Sequence, residues 1–325
     1  MKKIVLFIIA FTMLFTITGC SGNDTESADS QTVKIGLLSI DDSLPFFVAE
    51  QEGLYEELGV DVELVPFGSA LDKETALEAG EIDGDMTDLV VTGLLKKGGL
   101  DVKIVSTALG AEPSEGRFVL LAAPNSGISD ISQLKGQTIA IGNNTIIQYV
   151  GDQICYMNGL TDADIVTDNI PDLALRMETL LSDGVPAAIL PDPLATVAIK
   201  NGAIPLADDT QLTNENGSPV NLSQSVVIFR QESIDQKADA IKLVMQGYNE
   251  AKNMITNDPE TYRAALAEFT SIPENLVSSY TMPAYTAHHI PDKAEVEAVF
   301  NWMFDKGLLD EQYTYENMVD ESFIN

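Results

Sequence analysis

The sequence predicts two α/β lobes around a central cleft, with the C-terminal helices packed back on the first lobe. Three observations predict it. Strand-like runs of period two alternate with helix-like runs from Val33 to Ala122. The same alternation starts again at Thr138, and a lone apolar strand at 226–229 then precedes a region that is helical throughout. Such alternation is the mark of largely parallel sheets covered by helices.

Taken in order, Val33, Ile35 and Leu37 alternate with polar or small residues as a first strand. Pro45 opens a helical run over 46–58 that stops at Gly59, and Val60, Val62 and Leu64 alternate as a second strand. A helix at 69–79 ends at Gly80, a short strand covers 82–86, and a helix at 87–97 stops at Gly98-Gly99. Strands follow at 102–105 and 118–122. The second unit has strands at 138–141, 165–166, 187–190 and 203–206, separated by helices at 145–158, 171–181 and 194–200. Further on, Ser233 to Gln236 and Asp292 to Glu295 fit the capping box, and Asp258-Pro259 offers a cap and a first-turn proline. Ala238, Ile241, Met245, Tyr248 and Ile255, like Val296, Val299, Phe300 and Met303, recur at helical spacing and read as packing faces. Lobe one is therefore expected over 32–122 with 225–325, and lobe two over 123–224. Two crossings make a hinge, and the cleft between lobes is the natural ligand site.

The N-terminus has a different character. Lys2 and Lys3 precede an apolar stretch over 4–17, and Thr18-Gly19 leads into Cys20. That is the pattern of a secretory signal peptide over 1–19. The bland reading is an uncleaved anchor helix with a chance Cys20, but the stretch is short for a bilayer span. Ile17-Thr18-Gly19-Cys20 resembles the lipobox of bacterial lipoproteins, which implies lipidation of Cys20 and a cell-membrane address on the extracytoplasmic face. Residues 20–31 are polar and acidic, which suits a flexible tether.

Charge and residue counts exclude several classes. Eighteen Lys+Arg against 50 Asp+Glu give a net charge of −32, which repels nucleic acid. Of the two cysteines, Cys155 sits alone in an apolar helical stretch and reads as a buried, inert thiol. His288 and His289 are the only histidines; as neighbours they point apart, so no metal is expected. No phosphate-binding Gly-Lys-Ser/Thr loop and no Gly-x-Ser-x-Gly elbow occurs, and no cofactor is expected.

The segment LPFFVAEQEGLYEELGVDVELVPF, from Leu44 to Phe67, resembles solute-binding proteins of ABC importers for thiamine-pyrimidine precursors, taurine, alkanesulfonates and nitrate. ALEAGEIDGDMTDLV, ISQLKGQTIAIGNN and LLSDGVPAAILPDPLATVAIKNGA continue the likeness in the same order, from about Val33 to Leu309. The resemblance implies a type II periplasmic-binding fold and a non-enzymatic lipoprotein that closes on a small solute. It implies delivery to a permease with its ATPase subunit. An extracytoplasmic enzyme using paired carboxylates such as Asp88 and Asp192, or a sensor lipoprotein, is the alternative on the same fold.

Mapped onto this chain, the cleft loops hold Asp42, Ser43 and Phe46, then Ser69, then Thr87 and Asp88, with Asn143, Asn144, Thr145 and Asp192 opposite. Ligands sit beyond the carboxyl ends of parallel strands, where helix N-termini offer free amides. Residues 142–145 read equally as a plain helix cap or as a ligand contact; Asp88 could also cap its helix, but its place at a strand's end favours contact with a ligand ammonium. Asp41, Asp42, Asp88 and Asp192 together make an acidic cleft suited to an amine-bearing solute, unless they only reflect the acidic composition. Arg176 is the best anchor for an anion, or else a partner of Asp172 at i−4. Phe46, Phe47 and Tyr149 are candidates to stack on a flat heterocycle or to fill the core. An aminopyrimidine-like solute is favoured over a sulfonate.

Overall fold

The computed structural model describes residues 32–112, 115–214, 216–222, 225–270 and 272–324. The expected signal peptide over 1–19, Cys20 and the expected tether over 20–31 lie outside the described residues. The strands are β1 (Val33–Leu38), β2 (Val62–Phe67), β3 (Gly84–Thr87), β4 (Val102–Leu109), β5 (Phe118–Ala122), β6 (Thr138–Ile141), β7 (Val166–Asn169), β8 (Ala187–Pro191), β9 (Ile204–Asp208) and β10 (Ser225–Arg230). The helices are α1 (Leu44–Gln51), α2 (Leu54–Leu58), α3 (Ala70–Ala79), α4 (Leu89–Lys97), α5 (Ile146–Met157), α6 (Leu173–Leu181), α7 (Leu194–Lys200), α8 (Gln231–Asn257), α9 (Arg263–Phe269), α10 (Glu274–Val277), α11 (Lys293–Asp305) and α12 (Tyr315–Met318).

Two five-stranded sheets form, in the orders β2-β1-β3-β10-β4 and β7-β6-β8-β5-β9. In each, three neighbouring strands run parallel and one inserted strand, β10 or β5, runs antiparallel to both its neighbours. The expected fold class is what the structure has. One boundary moves: residues 118–122 pair with β8 and β9, so lobe two begins at β5 and not at 123. β5 is buried along its whole length, and such a run carries no face alternation that would assign it to a sheet. The crossings therefore fall between Leu109 and Phe118 and between Asp208 and Ser225. Asn221 ties them together, donating from Nδ2 to the Gly110 carbonyl at 2.7 Å.

The first sheet packs α1 and α8 on one face, with Phe46 stacked on Tyr248 at 4.2 Å between ring centroids. A second core wraps α6 and α7 against β8 and β5. The third runs across both lobes, joining α4 and α11 to α5. There Trp302 Nε1 donates to Asp152 Oδ2 at 3.2 Å, and Tyr149 meets the Trp302 ring edge-on.

The long helical run at 46–58 breaks into α1 and α2 because Gly53 takes φ 73°. Neither capping box closes. Ser233 Oγ donates to Asp83 Oδ1 at 2.8 Å, and the helix kinks at Lys237, whose ammonium grips the same carboxylate. Asp292 makes no side-chain cap, while Glu295 is drawn to Asn221. Asp258 closes α8, and the next helix waits until Arg263.

Gly84 shows how tightly β3 meets β10. A Cβ there would lie 2.4 Å from the Ile228 carbonyl oxygen and 2.5 Å from the Phe229 ring. Gly84→Ala is expected to cost about 1–3 kcal/mol by forcing the strands apart, read as a lower urea midpoint at unchanged slope. An unaltered midpoint would show that the pairing yields freely.

Candidate functional site

A cavity of about 510 Å³ opens between the carboxyl ends of the parallel strands of both sheets. Lobe one contributes Asp41 and Asp42 after β1, Ser69 and Lys73 at α3, and Thr87 and Asp88 at the end of β3. Lobe two contributes Arg117 and Phe118 at β5, the 142–147 turn, and Asp192 after β8. The expected residues Asp42, Ser69, Thr87, Asp88, Asn143, Asn144, Thr145 and Asp192 thus meet in one space.

Ser43 and Phe46 do not. Both are fully buried outside the cavity, because Pro45 starts α1 directly and turns its first residues into the lobe-one core. Phe47 stacks on Phe269 at 4.6 Å and Tyr149 packs edge-on against Trp302, so neither offers a platform to a ligand. Phe118 is the aromatic ring that lines the cavity.

Several loop residues serve the backbone. Ser69 Oγ caps α3, accepting from the Asp72 amide at 3.2 Å. Asn143 N–H is taken by Asn169 Oδ1 at 2.9 Å, Asn144 sits at φ 60°, and Thr145 Oγ1 donates to the Gly142 carbonyl at 2.8 Å. Asp88 does two things. It caps α4 through the Val91 amide at 2.9 Å, and it accepts from the backbone of Ile146 on the other lobe.

Electrostatics set the character of the site. Burial pushes the Asp42 carboxyl up to about 7, opposed by a hydrogen bond with Ser225 and by nearby Lys73. Burial pushes Asp88 up to about 6 against its two backbone amides. Asp41 is held well above the usual carboxylate range by burial and by the charges of Asp192 and Asp42, with a Tyr280 hydrogen bond pulling the other way. Burial also raises Asp192, against Thr196 and Arg117. Oδ1 of Asp41 and Oδ1 of Asp42 are buried with no partner among the described residues.

The cations are already engaged. Lys73 bonds Asp85 at 2.6 Å and Glu74 at 2.7 Å, and these two carboxylates keep it protonated. Arg117 lies 3.6 Å from Asp192 and 3.3 Å from Asp208. Arg176 is 1% exposed and donates to the carbonyls of Ile170, Ile189 and Pro171, not to Asp172, which caps α6 instead. Burial pushes its guanidinium down to about 10.

Lys73, Arg117 and Phe118 were missed from the sequence. Lys73 had a signal: it shares a face with Ala76 and Leu77 at i+3 and i+4, so a helix with those buried must bury it too. Arg117 had none. Cys155 is buried, its thiol pushed up to about 12 by burial. His289 Nδ1 faces Thr107 Oγ1 at 2.8 Å, His288 Nδ1 faces the Ile324 carbonyl, and no metal-binding cluster occurs among the described residues.

Two α/β lobes that share a cleft and are crossed twice by the chain define the periplasmic-binding class of fold. Within it, residues 41–262 match the model of the family described as NMT1/THI5 like, and the chain belongs to that family. The arginine-binding extracellular protein ArtP of Bacillus subtilis is 26% identical over 245 residues, 72% of this chain and 88% of that protein. A ligand-binding component of an ABC-type import system from Staphylococcus aureus, solved with zinc bound, superposes with a TM-score of 0.75 at 16% identity, over 90% of this chain and 98% of that one. An enzyme also matches. The 4-amino-5-hydroxymethyl-2-methylpyrimidine phosphate synthase of Schizosaccharomyces pombe is 29% identical over 122 residues, 37% of this chain and 34% of its own.

Proposed function

We propose that the protein is the extracytoplasmic receptor of an ABC importer, held at the membrane through Cys20. It captures a small amine-bearing or cationic organic molecule by lobe closure and passes it to a permease with its ATPase. The observation that carries this reading is the charge arrangement. Carboxylates of lobe one (Asp41, Asp42, Asp88) and of lobe two (Asp192) face one cavity, while Lys73 is held by Asp85 and Glu74, Arg176 by backbone carbonyls, and Arg117 is shared between Asp208 and Asp192. An anion brought there would meet buried carboxylates; a donor-rich cation would relieve them. Phe118, an apolar aromatic residue among those lining the cavity, suits an aminopyrimidine-like ring better than a sulfonate.

A thermal-shift panel tests it with 4-amino-5-hydroxymethyl-2-methylpyrimidine, L-arginine, an alkanesulfonate and nitrate. A true ligand at a hundred times its Kd adds about 2.7 kcal/mol of stability. A shift with either amine-bearing compound and none with the anions is expected; a shift confined to the sulfonate or nitrate overturns the reading. Mass spectrometry of the recovered compound separates receptor from enzyme, because a receptor returns it unchanged. Cys20→Ala is expected to release the protein from membranes into the soluble fraction.

A further inference from the structure

The cleft floor has a second layer that the family match, which ends at 262, does not reach. After α10 the chain runs back under the carboxyl end of β1 and brings two buried tyrosines to Asp41. Tyr280 donates its hydroxyl to Asp41 Oδ2. Tyr285 donates to the Asp41 backbone carbonyl at 2.6 Å. The segment is itself anchored. Thr256 Oγ1 exchanges hydrogen bonds with the Tyr285 backbone at 2.9 and 3.0 Å, and Arg263 Nη1 reaches the Tyr280 carbonyl at 2.6 Å.

Asp41 is thereby fixed at both its backbone and one carboxyl oxygen. Its other oxygen, Oδ1, is buried and has no partner among the described residues, and the residue lines the cavity. We propose that Tyr280 is a specificity-determining positioning residue, which holds Asp41 so that Oδ1 is presented as an acceptor to a donor group of the solute. This rests on the reading of the cleft as a receptor for amine-bearing molecules.

The groups facing Asp41 explain why a positioning donor matters. They are Asp42 beside it, Asp192 from the other lobe, and the two tyrosines. Both charged neighbours favour a protonated Asp41, and the Tyr280 hydrogen bond is the side-chain contact that favours the carboxylate. A protonated Asp41 would donate as well as accept and would distinguish cations from neutral molecules poorly.

The test uses Tyr280→Phe, with Tyr285→Phe as a control that leaves the carboxyl oxygens untouched. Asp41 is titrated through its carboxyl 13C signal in aspartate-labelled protein, assigned with Asp41→Asn. Tyr280→Phe is expected to raise the Asp41 midpoint by about one pH unit, a tenfold change in proton affinity, and Tyr285→Phe to move it far less. The preference for L-arginine over neutral benzamide as probes is expected to fall about tenfold in Tyr280→Phe. A variant that melts lower but keeps the wild-type midpoint and preference shows a structural role only and overturns the proposal. Should Tyr280→Phe not fold, the ring-carbon signal of Tyr280 in tyrosine-labelled wild type must follow the Asp41 titration; a signal that ignores it overturns the proposal too. Should neither probe bind wild type, the cleft reading fails, while the Asp41 midpoint still judges the role of Tyr280.

Discussion

Replacing Lys73 with methionine is expected to lower the free energy of unfolding by about 3–5 kcal/mol at pH 8. Methionine keeps the length and apolar stem of lysine but removes the ammonium. Asp85 is 0% exposed and depends on that ammonium at 2.6 Å, with Glu74 sharing it at 2.7 Å. Burial and Glu74 drive the Asp85 carboxyl upward, and Lys73 opposes both. Once Lys73 is gone, Asp85 either stays ionised and unpaired or takes up a proton. Its folded-state pKa then stands further above the unfolded value, so the variant keeps its stability at low pH and loses it as pH rises. Urea unfolding at pH 4 and pH 8 measures the difference, with the loss concentrated at pH 8. Lys73→Met with Asp85→Leu is expected to recover most of it, because replacing a whole buried ion pair costs far less than halving one. A loss under 1 kcal/mol at pH 8 in the single variant would sink the assignment of Lys73 as a buried counter-ion.

Lys73 also marks where sequence reading stops. The order of strands and helices was legible because each element buries one face, and burial writes a period into the chain. Cleft loops were legible for the same reason, since a ligand in such lobes lies beyond strand ends that the pattern locates. Their polar residues were harder. Asp88 and Ser69 sit at positions where a helix cap and a cavity-lining residue look alike in sequence, and Asp88 makes both a cap and an interlobe contact. Phe46 failed because an aromatic residue just after a loop packs inward as readily as outward; a helix start at Leu44 turned it toward Tyr248. The partners of Asp41 had no local signal. Tyr280 lies 239 residues away along the chain, so only the folded topology brings it there.

The acidic cleft itself is expected to destabilise the protein at neutral pH, and Asp42→Asn to be more stable than wild type above pH 7. The Asp42 carboxyl moves from 3.8 to about 7 on folding and Asp88 from 3.8 to about 6. Both shifts are upward, so between those limits the folded state binds more protons than the unfolded state. Their stability is fully present below about pH 4 and is lost as pH climbs through 6 and 7. At 1.36 kcal/mol per unit the loss comes to about 4 kcal/mol for Asp42 and about 3 kcal/mol for Asp88. The figure for Asp42 is an upper one, because that residue keeps part of its surface open. Above pH 7 the sign reverses at Lys252, which burial pushes down to about 7 and which regains stability as it sheds its proton in the folded state only. From these three groups alone the unfolding free energy therefore falls by several kcal/mol from pH 4 to neutrality and turns upward beyond it. Asp42→Asn and Asp88→Asn each flatten the acidic limb and match wild type near pH 4. On the proposed reading the same carboxylates hold an amine-bearing solute only when ionised, so wild-type affinity for it is expected to rise from pH 5 to pH 8 with proton release on binding. Each Asn variant is expected to lose about 2–5 kcal/mol of that affinity, thirtyfold or more. A stability difference between Asp42→Asn and wild type that stays constant with pH would mean that the Asp42 charge is not what the cleft stores.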